Sequence, residues 1–228
     1  METEQQIVSR QRTRDHGEVY TAGREVNAML DLVKSETERI DSRFLEPACG
    51  KGNFLAEVLK RKLGVVAGRY AKSPAEYDRY AVLVVSSIYG IDILPDNVEN
   101  CRERLFGVFN DFYRKTYKTD APSDCAASAR FILKKNIVLG DALTFRRIDA
   151  PDDFIIFSEW SPVNGSFMKR RDFKFTHLVN ANPFAGAGLF PEMEEKNLFS
   201  DLGEEVFIPK PIKEHDVIHY LRLADVQD

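Results

Sequence analysis

Residues 44–55 read FLEPACGKGNFL, a short strand that runs into a glycine-rich turn and then into a helix. The glycines Gly50 and Gly52 predict a tight turn in which a ligand can approach the backbone closely. A strand, such a turn and a helix form the first unit of an open α/β sheet. The stretch therefore predicts a ligand site at the carboxyl end of this strand.

The sequence around this unit alternates between helical and strand patterns. Before it, apolar residues recur from Val26 to Val33 at the spacing of one helix face, with Thr21 as a candidate N-cap. After it, the pattern predicts a loop at 64–73, a helix opened by Pro74, a strand at 88–93, helices at 98–112 and 122–135, and a strand at 136–139. This order favours a parallel sheet with right-handed crossovers.

Beyond residue 145 the pattern changes. Two strands are predicted at 154–157 and 173–179, with a turn at Asn164-Gly165 between them. The charged, aperiodic residues 1–16 are interpreted as a mobile arm. Residues 17–228 are interpreted as a single domain with an abbreviated C-terminal half.

Composition narrows the class of protein. The 228 residues are 43% hydrophobic and 30% charged, which is ordinary for a globular protein and unlike a disordered one. No apolar run approaches the roughly 20 residues of a membrane span, and the polar start lacks a secretory signal. Three widely spaced cysteines fit a reducing compartment, so a cytoplasmic location without membrane contact is expected. Because the net charge is −4, any DNA contact must come from a local basic patch.

Three predicted strand ends combine a glycine with a carboxylate. The residues concerned are Glu46 with the turn after it, Gly90 with Asp92, and Gly140 with Asp141. The carboxyl ends of parallel strands meet at one edge of a sheet, so these acids are expected to line one crevice. An acid at such a position can accept hydrogen bonds from both hydroxyls of a ribose. Neither a Walker A loop nor the three-glycine dinucleotide fingerprint is present.

Residues 44–55 resemble the S-adenosylmethionine-binding motif of the N6-adenine DNA methyltransferases, most closely the modification subunits of restriction systems. Gly90-Ile91-Asp92 and Gly140-Asp141-Ala142-Leu143 resemble the next two cofactor motifs of that family. Residues 17–33 resemble the segment that closes over the methionine end of the cofactor. The resemblance implies a Rossmann-like class I methyltransferase fold, with a mostly parallel sheet and helices on both faces.

The resemblance also implies roles for individual residues. Asp92 would hold the ribose of the cofactor, and Asp141 its adenine amino group. Glu46 and Gly50 would line the methionine moiety. The other positions that match the cofactor motifs are Tyr20, Thr21, Pro47, Ala48, Gly52, Asn53, Phe54, Ile93 and Ala142. Ala22 stands where the family usually has a proline.

The catalytic motif of that family is Asn/Asp-Pro-Pro-Tyr/Phe, whose acceptors bind the amino hydrogens of a flipped adenine while the aromatic ring stacks on it. This chain contains no Pro-Pro dipeptide. One candidate is Asn182-Pro183-Phe184, which follows a strand-like stretch. The other is the segment 157–162 with Glu159 and Trp160, which is better spaced but chemically unlike the motif.

A basic cluster interleaved with phenylalanines lies at Lys169, Arg170, Arg171 and Lys174. This composition fits a nucleic-acid backbone and stacked bases, and equally a solvated strand face. His215 and His219, four residues apart, are interpreted as surface histidines because no third metal ligand has suitable spacing. No metal site is predicted.

The leading hypothesis is therefore transfer of a methyl group from S-adenosylmethionine to adenine N6 in DNA, with another subunit as a candidate supplier of target recognition. One alternative is a non-catalytic S-adenosylmethionine-binding partner or regulatory subunit of a restriction or phage-defence system. Another is methylation of a glutamine or asparagine amide in a protein, since those enzymes also use an Asn-Pro-Pro motif.

Overall fold

The computed structural model describes residues 21–180, 198–199, 205–206 and 209–226. Tyr20, Asn182, Pro183, Phe184 and the arm at 1–16 lie outside the described residues. The helices are α1 (Gly23–Leu32), α2 (Lys34–Thr37), α3 (Asn53–Tyr70), α4 (Pro74–Ser86), α5 (Pro95–Tyr117), α6 (Ser123–Asn136), α7 (Phe175–Asn180) and a 3-10 helix at Tyr220–Asp225. The strands are β1 (Phe44–Glu46), β2 (Ile88–Asp92), β3 (Ile137–Asp141), β4 (Arg146–Arg147), β5 (Ile156–Pro162), β6 (Phe167–Lys174), β7 (Leu198–Phe199), β8 (Glu205–Val206), β9 (Lys213–Glu214) and β10 (Ile218–His219).

The first sheet is mixed and has the order β1-β2-β3-β4. Its first three strands are parallel, with Phe44 opposite Ile88 and Gly90 opposite Ile137. β4 pairs with the end of β3 in the antiparallel direction. Two helices lie between each pair of consecutive parallel strands in the chain. The α/β class and the parallel order of these three strands are confirmed.

The two faces of β2 contact different layers. Gly90 faces α3, where an added Cβ would lie 3.0 Å from the Cδ1 atom of Leu55. Tyr89 and Ile91 face the other way and belong to a second apolar cluster. There the ring of Tyr89 meets that of Phe157 edge to face, at 5.4 Å between centroids. On this face the described packing partners are therefore β5, through Phe157, and α7, through Phe175 and Val179.

The β5–β6 hairpin belongs to a second, antiparallel sheet, in which β6 lies between β5 and β10 and also pairs with β9. Its predicted turn is confirmed, since Asn164 accepts a hydrogen bond from the Phe167 amide at 3.1 Å and Gly165 has φ +54°. The strand predicted at 173–179 was wrong beyond Lys174. Lys174 lies opposite Ile156, the first residue of β5, so no partner strand remains and the chain continues as α7.

The loop predicted at 64–73 was also wrong, because α3 continues to Tyr70. Gly64 and Gly68 weaken the helical pattern by about 1 kcal/mol each relative to alanine. Both are exposed, so neither disturbs the buried side of the helix. That side includes Val66, and Tyr70 stacks on Tyr80 of α4 at 4.2 Å. Tertiary packing therefore overrides the local signal.

The predicted helix before β1 is present, with Val26 and Leu30 buried. Thr21 does not cap it, since the N-cap position is Ala22, which makes no side-chain bond. Of the described helices, none is both long and apolar enough to cross a membrane.

Lys62 of α3 is fully buried and joins the segments that lead into β1 and β2. Its ammonium donates hydrogen bonds to the backbone oxygens of Ile40 and Ser42 and, at 2.7 Å, to the Ser87 hydroxyl. It also lies 5.3 Å from the centre of the Phe44 ring. Burial lowers the pKa of Lys62 from 10.5 to about 7.

This shift predicts a pH-dependent stability. Between about pH 7 and pH 10.5 the unfolded chain holds a proton on Lys62 that the folded chain has released, so the free energy of unfolding rises with pH. Lys62→Met removes this contribution, and its stability relative to wild type should fall as pH rises through the window. Urea unfolding at several pH values measures the difference, with Lys60→Met on the exposed side of α3 as control. Parallel curves for wild type and Lys62→Met would contradict the prediction.

Candidate functional site

The carboxyl ends of β1, β2 and β3 open into one crevice of about 790 Å³. The predicted cofactor residues that line it are Thr21, Glu46, Pro47, Ala48, Gly50, Asn53, Phe54, Asp92, Ile93, Asp141 and Ala142. Six further residues line it that were not assigned a cofactor role from the sequence, although Cys49, Lys51 and Leu143 lie within the quoted motifs: Met29, Cys49, Lys51, Leu94, Asn97 and Leu143. Of these, Leu94 and Leu143 were detectable in principle, because each lies two residues after a strand-end acid.

Asp92 holds the glycine-rich turn against β2. Its carboxylate, 8% exposed, accepts hydrogen bonds from the backbone amides of Gly50 at 2.8 Å and Leu94 at 2.9 Å. The side-chain amide of Asn97 donates a third at 3.2 Å. A carboxylate has about four acceptor positions, so these donors leave about one for a ligand. Asp92 is therefore first a structural part of the crevice floor.

The turn itself requires glycine at two positions. Gly50 and Gly52 have φ of +50° and +79°, which lie in the left-handed region. An added Cβ on Gly52 would lie 2.6 Å from the Sγ atom of Cys101 in α5. Gly52 occupies the N-cap position of α3, and Asn53 is the first helical residue. Gly52 therefore fixes the position of the turn but does not itself belong to the crevice lining that the structure describes.

The two cysteines near the turn have a packing role. Cys49 and Cys101 are both buried and free. The hydrogen bond between the two thiols, and then burial, hold the pKa of Cys49 far above its usual range. A thiol that stays protonated is a poor nucleophile. Cys101 was seen in the sequence only as part of an apolar helix face, and its contact with the turn is tertiary.

The crevice is acidic with apolar walls. Its described lining contains Glu46, Asp92 and Asp141 and one basic residue, Lys51. Burial raises the pKa of Glu46, against a hydrogen bond from the Ala48 backbone that lowers it. The remaining lining includes the apolar side chains Met29, Phe54, Ile93 and Leu143. Such a surface suits a cationic ligand that also carries a flat apolar group and hydroxyl or amino donors.

Asp141 differs from Asp92 in its exposure. It is only half buried, and its carboxylate accepts hydrogen bonds from the Leu143 amide at 2.8 Å and the Thr144 hydroxyl at 3.0 Å. Both donors belong to the turn that follows β3. The carboxylate therefore remains open to a ligand while the turn fixes its direction.

The alternative catalytic segment lies elsewhere. Trp160 is buried, and its ring N–H donates to the Asn136 side chain at 3.0 Å. Glu159 pairs with Arg43 and, at 2.7 Å, with Arg171. Neither Glu159 nor Trp160 belongs to the crevice lining that the structure describes. The sequence spacing that favoured this segment therefore does not place it at the site.

The basic residues predicted to contact nucleic acid do not form one surface. Lys169 and Arg171 lie on one face of β6 and pair with Glu214 and Glu159. Arg170 points to the opposite face and is buried. Strand residues alternate between faces, so four neighbouring basic residues cannot all share one side.

Arg170 forms an ion pair in the interior. Its guanidinium donates to the Asp172 carboxylate at 2.8 Å and to the Ser158 hydroxyl at 3.0 Å. Burial alone would raise the pKa of Asp172, but hydrogen bonds from Arg170, His215 and Ser158 hold it below its usual value. The side chain of His215 is buried in this network, 2.9 Å from Asp172, so its interpretation as a surface histidine was wrong. Lys174 lies apart from the network, over the Phe154 ring.

Comparison with known proteins adds no relative to this geometry. A scan against protein-family models, a search of curated proteins and a search of solved structures each found no match to the chain. Function is therefore argued from the crevice and from the motifs that line it.

The geometry of the turn predicts that one methyl group added at Gly52 strongly lowers the stability of the fold. In Gly52→Ala, left-handed strain and the contact with Cys101 should together destabilise the fold by about 2–4 kcal/mol. Gly64→Ala is the matched control, because no atom lies within 4 Å of its added Cβ, and it should stabilise by about 0.5–1 kcal/mol. Urea unfolding measures both. A Gly52→Ala variant as stable as wild type would show that the turn is not fixed by this contact.

Proposed function

We propose that the chain is a Rossmann-like S-adenosylmethionine-dependent methyltransferase that acts on adenine N6 in DNA. The observation that carries the proposal is one crevice, at the carboxyl ends of three parallel strands, that collects Glu46, Asp92 and Asp141 around a glycine-rich turn. Open α/β sheets bind nucleotides at this position. The same residues match the cofactor motifs of the N6-adenine methyltransferases.

The residues of the crevice fit this cofactor. Its volume lies within the roughly 300–1,000 Å³ of small-molecule sites. When bound, S-adenosylmethionine supplies an electrophilic methyl group on a positively charged sulfur. The acidic lining favours a cation, Glu46 and Asp141 supply acceptors for amino and hydroxyl groups, and Ile93 and Leu143 supply apolar surface for a purine. Asp92 orients the turn and keeps about one acceptor position for a ribose hydroxyl.

The residues proposed to bind adenine, the methyl acceptor, are assigned from the sequence motif. Asn182-Pro183-Phe184 retains its role as the proposed catalytic segment: the Asn side chain and a backbone carbonyl would accept the amino hydrogens of adenine, and the Phe184 ring would stack on the base. These residues lie outside the described part of the chain. DNA and a subunit that supplies target recognition are the proposed partners.

The raised pKa of Glu46 predicts a pH-dependent affinity. Glu46 favours a cationic ligand only when ionised, so affinity for S-adenosylmethionine should fall as pH decreases from neutral into the acidic range, beginning above the usual glutamate pKa of 4.5. Glu46→Gln should bind about tenfold more weakly at neutral pH and vary less with pH. Isothermal titration calorimetry measures both, with Asp111→Asn at an exposed site on α5 as control. Absence of saturable binding by wild type would contradict the proposed cofactor site.

Catalysis is tested separately from binding. The purified chain, tritiated S-adenosylmethionine and unmethylated DNA should yield labelled N6-methyladenosine after digestion to nucleosides. Asn182→Ala should reduce the label at least a hundredfold and leave cofactor affinity within about twofold of wild type, because it removes an acceptor for the reacting amino group. Cofactor binding without label on DNA would contradict the stand-alone enzyme and favour a non-catalytic S-adenosylmethionine-binding subunit. Label on a protein amide instead would identify the other acceptor class.

A further inference from the structure

A second concavity, of about 700 Å³, lies between α5, α6, β3 and the β5–β6 hairpin. We call it the basic groove. Its charged lining consists of Arg102, Lys134, Lys135, Arg147, Arg170 and Lys213, with the acids Glu99, Asp149 and Asp172. The three arginines pair with the three acids, Arg102 with Glu99, Arg147 with Asp149 and Arg170 with Asp172. The surplus of positive charge at this place therefore comes from the lysines, whereas the whole chain carries −4. The groove is therefore a local basic region of the kind that a DNA-binding protein with a negative net charge requires.

The cations come from both walls of the groove. On the helical wall, Arg102 is fixed by hydrogen bonds from its guanidinium to the backbone oxygens of Ile137 at 2.6 Å and Lys134 at 3.3 Å. Lys134 is exposed at the end of α6, and Lys213 is exposed on β9 of the opposite wall. Neither lysine is ion-paired to any residue that the structure describes. Both ammonium groups are therefore available to an external anion.

The buried network of the hairpin holds the second wall in place. The backbone amide of His215 donates to the Arg170 oxygen at 3.0 Å, and its ring contacts Asp172 at 2.9 Å. These bonds anchor the residues just after Lys213 on β6. Lys213 thus projects from a fixed strand, which reduces the loss of conformational entropy when it binds a ligand.

The basic groove and the acidic crevice are neighbours. Leu94 lines the crevice and the next residue, Pro95, lines the groove. Leu139 of β3 lines the groove, and Asp141 at the end of the same strand lines the crevice. The acidic crevice, which suits a cation, and the basic groove, which suits an anion, therefore lie on either side of β3 and the start of α5.

We propose that the basic groove binds the phosphate backbone of duplex DNA, an inference that rests on the proposed function. Lysine and arginine on two walls match a linear polyanion, which contacts several cations at once, better than a single phosphate, which fills little of 700 Å³. Backbone contacts of this kind position DNA without reading its sequence. The groove replaces the cluster on β6 as the main phosphate-binding surface, because Lys169 and Arg171 are ion-paired and Arg170 is buried.

The test uses the full chain and a fluorescein-labelled duplex of about 24 base pairs, followed by fluorescence anisotropy at several salt concentrations. Lys134→Glu combined with Lys213→Glu should weaken DNA binding at least tenfold and lower the salt slope by about 2. Lys72→Glu combined with Lys115→Glu makes the same change in charge at exposed positions outside the groove and should alter affinity much less. Affinity for S-adenosylhomocysteine, measured by calorimetry, should be unchanged in both double variants.

Three results would contradict the proposal that the basic groove binds duplex DNA. The first is undiminished DNA affinity and salt slope in the Lys134/Lys213 variant, and the second is an equal loss in the Lys72/Lys115 variant. The third is tighter binding of a poly-glutamate peptide of equal charge, which would indicate a protein partner. Failure of the proposed function is distinguishable: DNA and cofactor would bind as expected, with the groove dependence intact, and no methyl group would be transferred.

Discussion

The turn between β1 and α3 is held from two sides, and the crevice depends on it. From one side Gly52 lies so close to Cys101 that no side chain fits, and from the other the Asp92 carboxylate accepts the Gly50 amide. α5, which carries Cys101, begins three residues after Asp92, so the two restraints belong to adjacent elements. The position of the first strand end relative to the second is therefore set by contacts of the turn backbone with the side chains of Asp92 and Cys101, and a ligand meets a largely preformed surface.

Charged side chains form two regions of opposite sign near β3. The crevice at its carboxyl end is lined by acids, and the groove along it is lined mainly by bases. A protein with a small net charge can thus present two strong and opposite local fields, which its overall composition conceals. For a methyltransferase on nucleic acid this arrangement would keep a cationic donor and a polyanionic acceptor on neighbouring surfaces without mutual competition for the same side chains.

Buried charged groups join segments within each of the two layers. Lys62 caps three oxygens in front of β1 and β2, and Arg170 with Asp172 joins β6 to the C-terminal segment. Burying a charge is unfavourable unless its hydrogen bonds are satisfied. Such groups therefore tolerate few alternative packings of the segments that they join.

Local sequence was sufficient for the presence of the three parallel strands, of the helices predicted from Pro74, at 98–112 and at 122–135, and of the acids and glycines of the crevice. The bounds of the second helix were too short, since it runs from Pro95 to Tyr117. These features depend on residue spacing and turn chemistry, which act over a few neighbours. Tertiary structure alone decided that α3 continues through Gly64 and Gly68, that β6 stops at Lys174, opposite the first residue of β5, and that Arg170 is buried while Lys169 is not. Strand alternation shows that two sets of side chains point apart, but only the packed layers determine which set meets water.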